Sequence, residues 1–416
     1  MNQLPVFFQQ IMGIIKPWYI KEINQEGMEI EIKIDFVQFH RNCFGISLKF
    51  HEVGSKFNYK GKECSVYDTV ERTWRHLNLF QYKAYITARV PRIKTEEGVK
   101  VIEVPWARKG SGFTLLFEAF ILQLSMCMSI SEVSRMMDET ENRLWRIATF
   151  YTEREIDAQD FSKEPITNLA VDEVSRKKGH VYISNFLDVD KGKVVYVARG
   201  KDSGTFTAFK EEYLKKGGKE RDIKTISMDM SPAFIKGANQ EFPKAQIVFD
   251  KFHVIKALNE QLDLVRRREQ KTFDSFFKKT KYLFLKAKQN LTVSQTEKLT
   301  TLLEDESKDT VKAYNLIQSF KEVFNYARPS AAGRFLSGWF KLCELSKIPE
   351  MISAARTIFK HIDGILQHIR TKKTNAMLEG LNSKLRVITK RAYGFKRFSY
   401  LRTMIFLNLG KLDLTV

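Results

Sequence analysis

Leu169-Ala170-Val171-Asp172-Glu173-Val174 is an apolar run with carboxylates set inside it, and the segments on either side of it decide the fold. The run reads as a buried strand. Residues 181–187 and 193–198 are two further strand candidates, and Asp190-Lys191-Gly192-Lys193 lies between them at hairpin spacing. Residues 203–215 follow a helical pattern and 223–228 a strand pattern. Residues 231–241 read as a helix with Ser231 placed to cap it and Pro232 at its first position. Residues 246–249 give one more strand, and the chain is helical from Lys251. The order is strand, strand, strand, helix, strand, helix, strand, helix. It predicts an α/β unit in which a mixed central sheet carries helices on both faces.

That order is the one expected of a ribonuclease-H-like core, and the acids within it have a chemical meaning. Asp172 sits where a central strand would bury it, and a buried carboxylate is costly unless it is paired or metal-bound. Asp229, in Met228-Asp229-Met230, ends a strand at the carboxyl edge where open sheets place their ligands. A loop aspartate near a helix N-terminus is the plainer reading of it. Glu379 is placed by a helical wheel: Leu378, Leu381, Leu385 and Ile388 form one stripe, and Asn375, Glu379, Asn382 and Arg386 a polar row about 110° away. A generic amphipathic helix is the alternative there.

Working outward, the first hundred residues contain clean alternation at 28–34 and 82–90, which predicts a β-rich module with one wet face. Past Pro105 and Lys109-Gly110-Ser111-Gly112 the pattern turns helical. Residues 129–137 and 141–151, joined by Asp138-Glu139-Thr140, predict a helix-turn-helix that exposes Asn142, Arg143 and Arg146 to a major groove. A plain helical hairpin competes, because no glycine marks the turn. Residues 271–370 read as helices, either inserted into the core or forming a separate domain. The expected division is 1–110, a ribbon-like β module; 111–165, the helix-turn-helix; 166–270, the first part of the core; 271–370, the insertion; and 371–416, the last part of the core.

The chain has 416 residues, 43% hydrophobic and 12% aromatic, and a net charge of +20. It can bury more than one core, and its charge points to a polyanionic partner. From Arg370 onward eleven Lys or Arg face two acids. Lys384, Arg386, Lys390, Arg391, Lys396 and Arg397 extend along and beyond the glutamate helix, and Arg266 and Arg267 belong to a second cluster; all are candidates for holding DNA phosphates. Cys43, Cys64, Cys127 and Cys343 form no CxxC, which argues for reduced thiols in a cytoplasmic setting. No run of about 18 apolar residues is present to span a membrane.

Several segments together resemble the DDE transposases of the bacterial ISL-three insertion-sequence family. They are Val171-Asp172-Glu173, Ser227-Met228-Asp229-Met230-Ser231, Phe249-Asp250-Lys251-Phe252-His253-Val254, Thr374-Asn375-Ala376 with Glu379-Gly380-Leu381-Asn382, and Lys390-Arg391-Ala392-Tyr393-Gly394-Phe395. Upstream, Arg72-Thr73-Trp74-Arg75-His76-Leu77, Val104-Pro105-Trp106-Ala107-Arg108 and Phe113-Thr114-Leu115-Leu116-Phe117-Glu118 are similar to the same family. The resemblance implies a catalytic triad of Asp172, Asp229 and Glu379 holding two divalent ions, Mg2+ or Mn2+. It also implies binding to double-stranded element ends and target DNA, strand cleavage and strand transfer, and a homodimer or higher oligomer in the bacterial nucleoid. Asp250, His253, Asn375 and Asn382 are accessory candidates. The family's zinc-ribbon thiols are missing here, so zinc is not expected, although His40, His51 and His76 remain conceivable ligands. A DNA-binding protein derived from such an enzyme, and a nuclease that cuts without joining, are the competing functions.

Overall fold

A computed structural model describes residues 3–42, 45–50, 56–59, 62–177, 181–371 and 376–414; at 3–4, 37–42, 45–50, 56, 58, 63, 175–177, 181 and 376–379 the backbone alone is described. The chain divides into two compact units, one reaching Glu153 and the other spanning Arg154–Leu412.

In the first unit a helix, α1 (Gln3–Ile11), precedes seven strands: β1 (Trp18–Glu26), β2 (Glu29–Asn42), β3 (Gly45–Phe50), β4 (Lys56–Tyr59), β5 (Lys62–Leu79), β6 (Tyr82–Thr95) and β7 (Gly98–Val101). Their order is β1-β2-β6-β5-β4, with β3 on β2 and β7 on β6, and β2 and β6 are the parallel pair. Period-two alternation buries Ile32, Ile34, Ala84, Ile86, Ala88 and Val90 on one face. Aromatic rings fill the space beneath. Trp106 stands edge-on to Trp18 at 5.0 Å and to Trp74 at 5.7 Å, and Trp18 meets Phe36 at 5.7 Å. Cys43 and His51 lie outside the described residues, and His40 is described by its backbone alone. His76 is buried, with Nδ1 2.9 Å from Thr114 Oγ1.

The helix-turn-helix stretch comprises α2 (Leu115–Cys127), α3 (Ile130–Met137) and α4 (Glu141–Asp157). Thr114 caps α2, and Ser129 with Glu132 forms a capping box on α3. The turn that lacks a glycine is made by Asp138, which adopts the left-handed conformation at φ 51°. A short polar side chain tolerates that region better than most. Fully buried Glu118 ties the stretch together, accepting from Arg108 Nε at 2.9 Å, Ser111 Oγ at 2.7 Å and Tyr151 OH at 2.6 Å.

The second unit is built on β8 (Asn168–Lys177), β9 (Val181–Asp188), β10 (Lys193–Arg199), α5 (Gly204–Lys215), β11 (Thr225–Met228), α6 (Pro232–Glu241), β12 (Gln246–Phe249) and α7 (Lys251–Gln270). The sheet order is β10-β9-β8-β11-β12: β8, β11 and β12 are parallel, and β9 and β10 complete the sheet antiparallel. One expectation fails locally. Ser231 stands at the N-cap of α6, but its side chain makes no capping bond.

Seven helices follow: α8 (Asp274–Phe277), α9 (Lys281–Leu285), α10 (Val293–Leu303), α11 (Asp309–Lys321), α12 (Pro329–Leu345), α13 (Pro349–Lys360) and α14 (Ile362–Thr371). They share one hydrophobic core with the sheet. Phe277, Tyr314, Phe320, Trp339, Met351 and Ile358 pack in the same cluster as Phe249, Val254 and Leu258. At Gly364 the absence of a side chain lets α14 press on β12, because a β-carbon there would collide with the Phe249 ring. The chain then forms α15 (Ala376–Arg391) and α16 (Phe398–Leu409).

Candidate active site

Parallel register brings the acids to one edge of the sheet. Thr225, Ile226 and Ser227 on β11 pair with Asn168, Leu169 and Ala170 on β8. Two residues farther along each chain are Asp172 and, one step past the end of β11, Asp229. Met228 pairs in turn with Phe249, the last residue of β12, so Asp250 emerges at the same edge. It caps α7, its carboxylate accepting the Phe252 N–H at 3.1 Å. β11 and β12 end there while β8 runs on to Lys177 paired with β9, and the edge opens into a cleft of about 650 Å³. Asp172, Asp229, Asp250, His253, Lys256, Asn382 and Arg386 line it.

The carboxylates are held differently. Asp172 Oδ1 accepts the Glu173 N–H at 2.8 Å, and Oδ2 accepts the Asn382 amide from α15. Burial raises its pKa above the ordinary aspartate value, and the negative charge of Asp229 adds to the rise; the Asn382 bond, His253 and the Glu173 N–H act against it. Asp229 Oδ1 accepts the Ser231 N–H at 3.0 Å, fixing the turn that leads into α6, and Oδ2 lies 4.0 Å from His253 Nδ1. Among the described residues neither Asp172 nor Asp229 is paired with Lys or Arg. Two neighbouring carboxylates without a Lys or Arg partner, with His253 beside one of them, form a donor set suited to a hard divalent cation. Among the described side chains alone, no three His, Cys, Asp or Glu are grouped to hold a metal. Glu379 is described by its backbone, on α15 one turn before Asn382, and Asn375 lies outside the described residues.

The basic candidates fall into several environments. Lys384, Arg386, Lys390, Arg391, Lys396 and Arg397 are exposed. On α4, Asn142 and Arg146 are exposed, whereas Arg143 is half-buried, paired with Glu139 at 2.6 Å and lying 4.2 Å over the Phe113 ring. Arg266 corrects the sequence reading. It is 7% exposed and donates to Asp263 at 2.8 Å and Gln270 at 2.6 Å, so its charge serves the fold instead of a phosphate. Arg267 is exposed, though paired with Asp263 at 2.7 Å.

Sequence reasoning missed one residue that lines the cleft and one that pairs with a residue lining it. Lys256 lies three positions after His253 on α7 and so shares its helix face, a signal that periodicity offered. Asn185 is directly opposite Asp172 on β9, buried, with an Oδ1 that lacks a hydrogen-bond partner. Only cross-strand register reveals it.

A cleft that gathers carboxylates without a direct Lys or Arg partner beside an exposed basic helix belongs to the class of enzymes that act on polyanionic chains. The transposase family model of the ISL3 group, a DDE family, matches residues 169–405, and the helix-turn-helix domain of transposase family ISL3 matches residues 102–152; the chain belongs to the ISL3 transposase family. Curated relatives agree. The transposase for insertion sequence element IS1001 of Bordetella parapertussis is 27% identical over 350 residues, 82% of this chain and 85% of the relative. The transposase for insertion sequence element IS1557 of Mycobacterium tuberculosis is 25% identical over 390 residues, 84% of each chain. The protein is thus a transposase, an enzyme that cleaves and transfers DNA, with a helix-turn-helix DNA-binding domain. No described helix is long and apolar enough to cross a membrane.

Proposed function

We propose that Asp172, Asp229 and Glu379 form the catalytic triad of this transposase, on a ribonuclease-H-like sheet, and hold two divalent cations, magnesium or manganese. The observation that carries the proposal is that Asp172, two residues past the last β8 residue paired with β11, and Asp229, one step past the end of β11, line one cleft without a Lys or Arg partner. When bound, such ions activate a water or a DNA 3′-hydroxyl and stabilise the leaving oxygen.

The chain's own residues supply the rest. Asn382 fixes one oxygen of Asp172 and the Glu173 N–H the other, so the carboxylate keeps a single orientation. The Ser231 N–H does the same for Asp229. Lys256 and Arg386, lining the cleft, are placed to hold the phosphates that flank the scissile bond. Lys384, Lys390, Arg391, Lys396 and Arg397 continue that hold along the duplex, Asn142 and Arg146 read element-end sequence in a major groove, and Arg267 adds a further phosphate contact. Because two element ends are processed together, the active form is a homodimer or higher oligomer on nucleoid DNA.

Asp172→Asn, Asp229→Asn and Glu379→Gln are each expected to lower metal-dependent cleavage by at least about 10²–10³-fold, with duplex binding retained. The assay uses DNA flanking the chain's own coding sequence, and retained cleavage in any variant removes that residue from the triad. A strand-transfer assay on the same substrate separates joining from cutting alone.

A further inference from the structure

We propose that Tyr393 is a base-stacking finger that engages unpaired or opened bases a few steps from the scissile phosphate; this rests on the active-site reading above. Its ring is wholly in solvent, at 101% relative exposure. The turn that holds it is nevertheless firmly built. Ala392 N–H bonds Ile388 O at 3.1 Å, Tyr393 N–H bonds Lys390 O at 3.0 Å, and Gly394 N–H bonds Thr389 O at 2.9 Å, closing the end of α15. Two residues on, Phe395 is buried and pins the far side of the turn. Of two aromatics in one tight turn, one anchors and the other is presented.

The backbone adds a second observation. Tyr393 has φ 50°, a left-handed conformation that a side-chain-bearing residue adopts at a cost, and Gly394 follows at φ 90°. A turn with no task beyond reversing the chain is served better by Asn or Gly at the first position. The third observation is the surroundings. Lys390 and Arg391 precede the ring and Lys396 and Arg397 follow it, all exposed. An aromatic face set among cations matches a nucleobase set among phosphates. The finger also has a defined reach. Arg386 lines the cleft on the same helix, so at 1.5 Å per residue the tip lies roughly 10 Å farther on. That spans about three steps of a strand that advances about 3.4 Å per nucleotide.

The full-length chain is tested with duplexes from the DNA flanking its coding sequence, carrying 2-aminopurine one to five positions from the cleavage point. Wild type is expected to change the fluorescence at a position about three steps away, without added magnesium. Tyr393→Phe and Tyr393→Trp retain the signal. Tyr393→Ala and Tyr393→Asn lose it, with binding or cleavage weakened about 5- to 150-fold, the range for losing a stacked base. Tyr393→Asn also relieves the backbone, so its melting temperature equals or exceeds that of wild type; the loss then cannot be a folding defect. Wild-type behaviour of the Ala and Asn variants overturns the proposal, as does a Phe variant as defective as Ala. Variants that engage DNA normally but fail to dimerise overturn it too and assign Tyr393 to a subunit contact. Because stacking is read without cleavage, a wild type that stacks but never cuts defeats the triad assignment and leaves the finger standing.

Discussion

At the scale of single residues, Asn382 orients Asp172, the carboxylate proposed as a metal ligand. Its amide donates to Asp172, a carboxylate whose ionised form burial disfavours, and thereby supports the charge that a cation needs. Asn382→Leu is expected to weaken Mn2+ binding about 10- to 100-fold, the usual loss when a residue orienting a metal ligand is removed, as measured by calorimetry on the full chain. Unchanged affinity would detach Asn382 from the site. His76 makes a different kind of statement. The Thr114 hydroxyl accepts the Phe117 N–H that starts α2 and lies 2.9 Å from His76 Nδ1, within hydrogen-bond distance of the buried ring. Burial, helped by the neighbouring Arg75, pushes the His76 pKa down to about 4. In the unfolded chain the ring takes up a proton near 6.5. The stabilisation is therefore complete above about pH 6.5 and is lost as pH falls toward about 4, on the order of 3 kcal/mol in all. Urea unfolding of the tryptophan-lined first unit, followed by fluorescence at pH 7.5 and pH 5, should show a smaller acid-side loss in His76→Gln than in wild type.

At the scale of elements, the approach of α14 to β12 is set by one missing β-carbon. Gly364→Ala drives a methyl group into the Phe249 ring, which is 4% exposed and packed in the core, so the ring cannot swing aside. A loss of about 1–3 kcal/mol is expected from such overpacking. Phe249 immediately precedes Asp250, so cleavage should fall with stability; normal melting and normal activity together would mean that α14 sits farther from the strand than the structure has it. This contact was invisible in the sequence, as are most contacts between elements remote in the chain. What periodicity conveys is the element itself. The β8-to-α7 order was legible because apolar runs, a hairpin turn and Pro232 each mark an end. Asp172 and Asp229 were legible because acids at strand positions are conspicuous, and Asn382 and Arg386 because they share a helix stripe. Arg266 misled, since an arginine written among arginines looks solvated until Asp263 and Gln270 are seen around it. Asn185 and the tryptophan cluster of the first unit depend on cross-strand register, which local composition does not encode.

At the scale of the whole molecule, the excess of positive charge, +20 over 416 residues, decides how the chain meets DNA. Each phosphate neutralised releases condensed counterions, so the logarithm of the binding constant falls linearly with the logarithm of salt concentration, by about 0.9 per contact. That slope counts cations that touch DNA and ignores those spent on the fold. Lys384, Lys390 and Arg397 are exposed along and beyond α15. Replacing all three with Gln should flatten the slope by about 2.7 and weaken specific and non-specific duplexes alike. Arg266→Met removes the same unit of charge from a buried position, leaving Asp263 with Arg267 and Lys281 at 2.7 and 3.8 Å. It should leave the slope unchanged while lowering the unfolding midpoint. Fluorescence anisotropy of a labelled duplex across 50–400 mM salt reads both variants on one axis. Equal slopes for the triple variant and wild type would mean that the helix after the active site faces away from the DNA path; a flattened slope in Arg266→Met would return that residue to the interface from which its burial removes it.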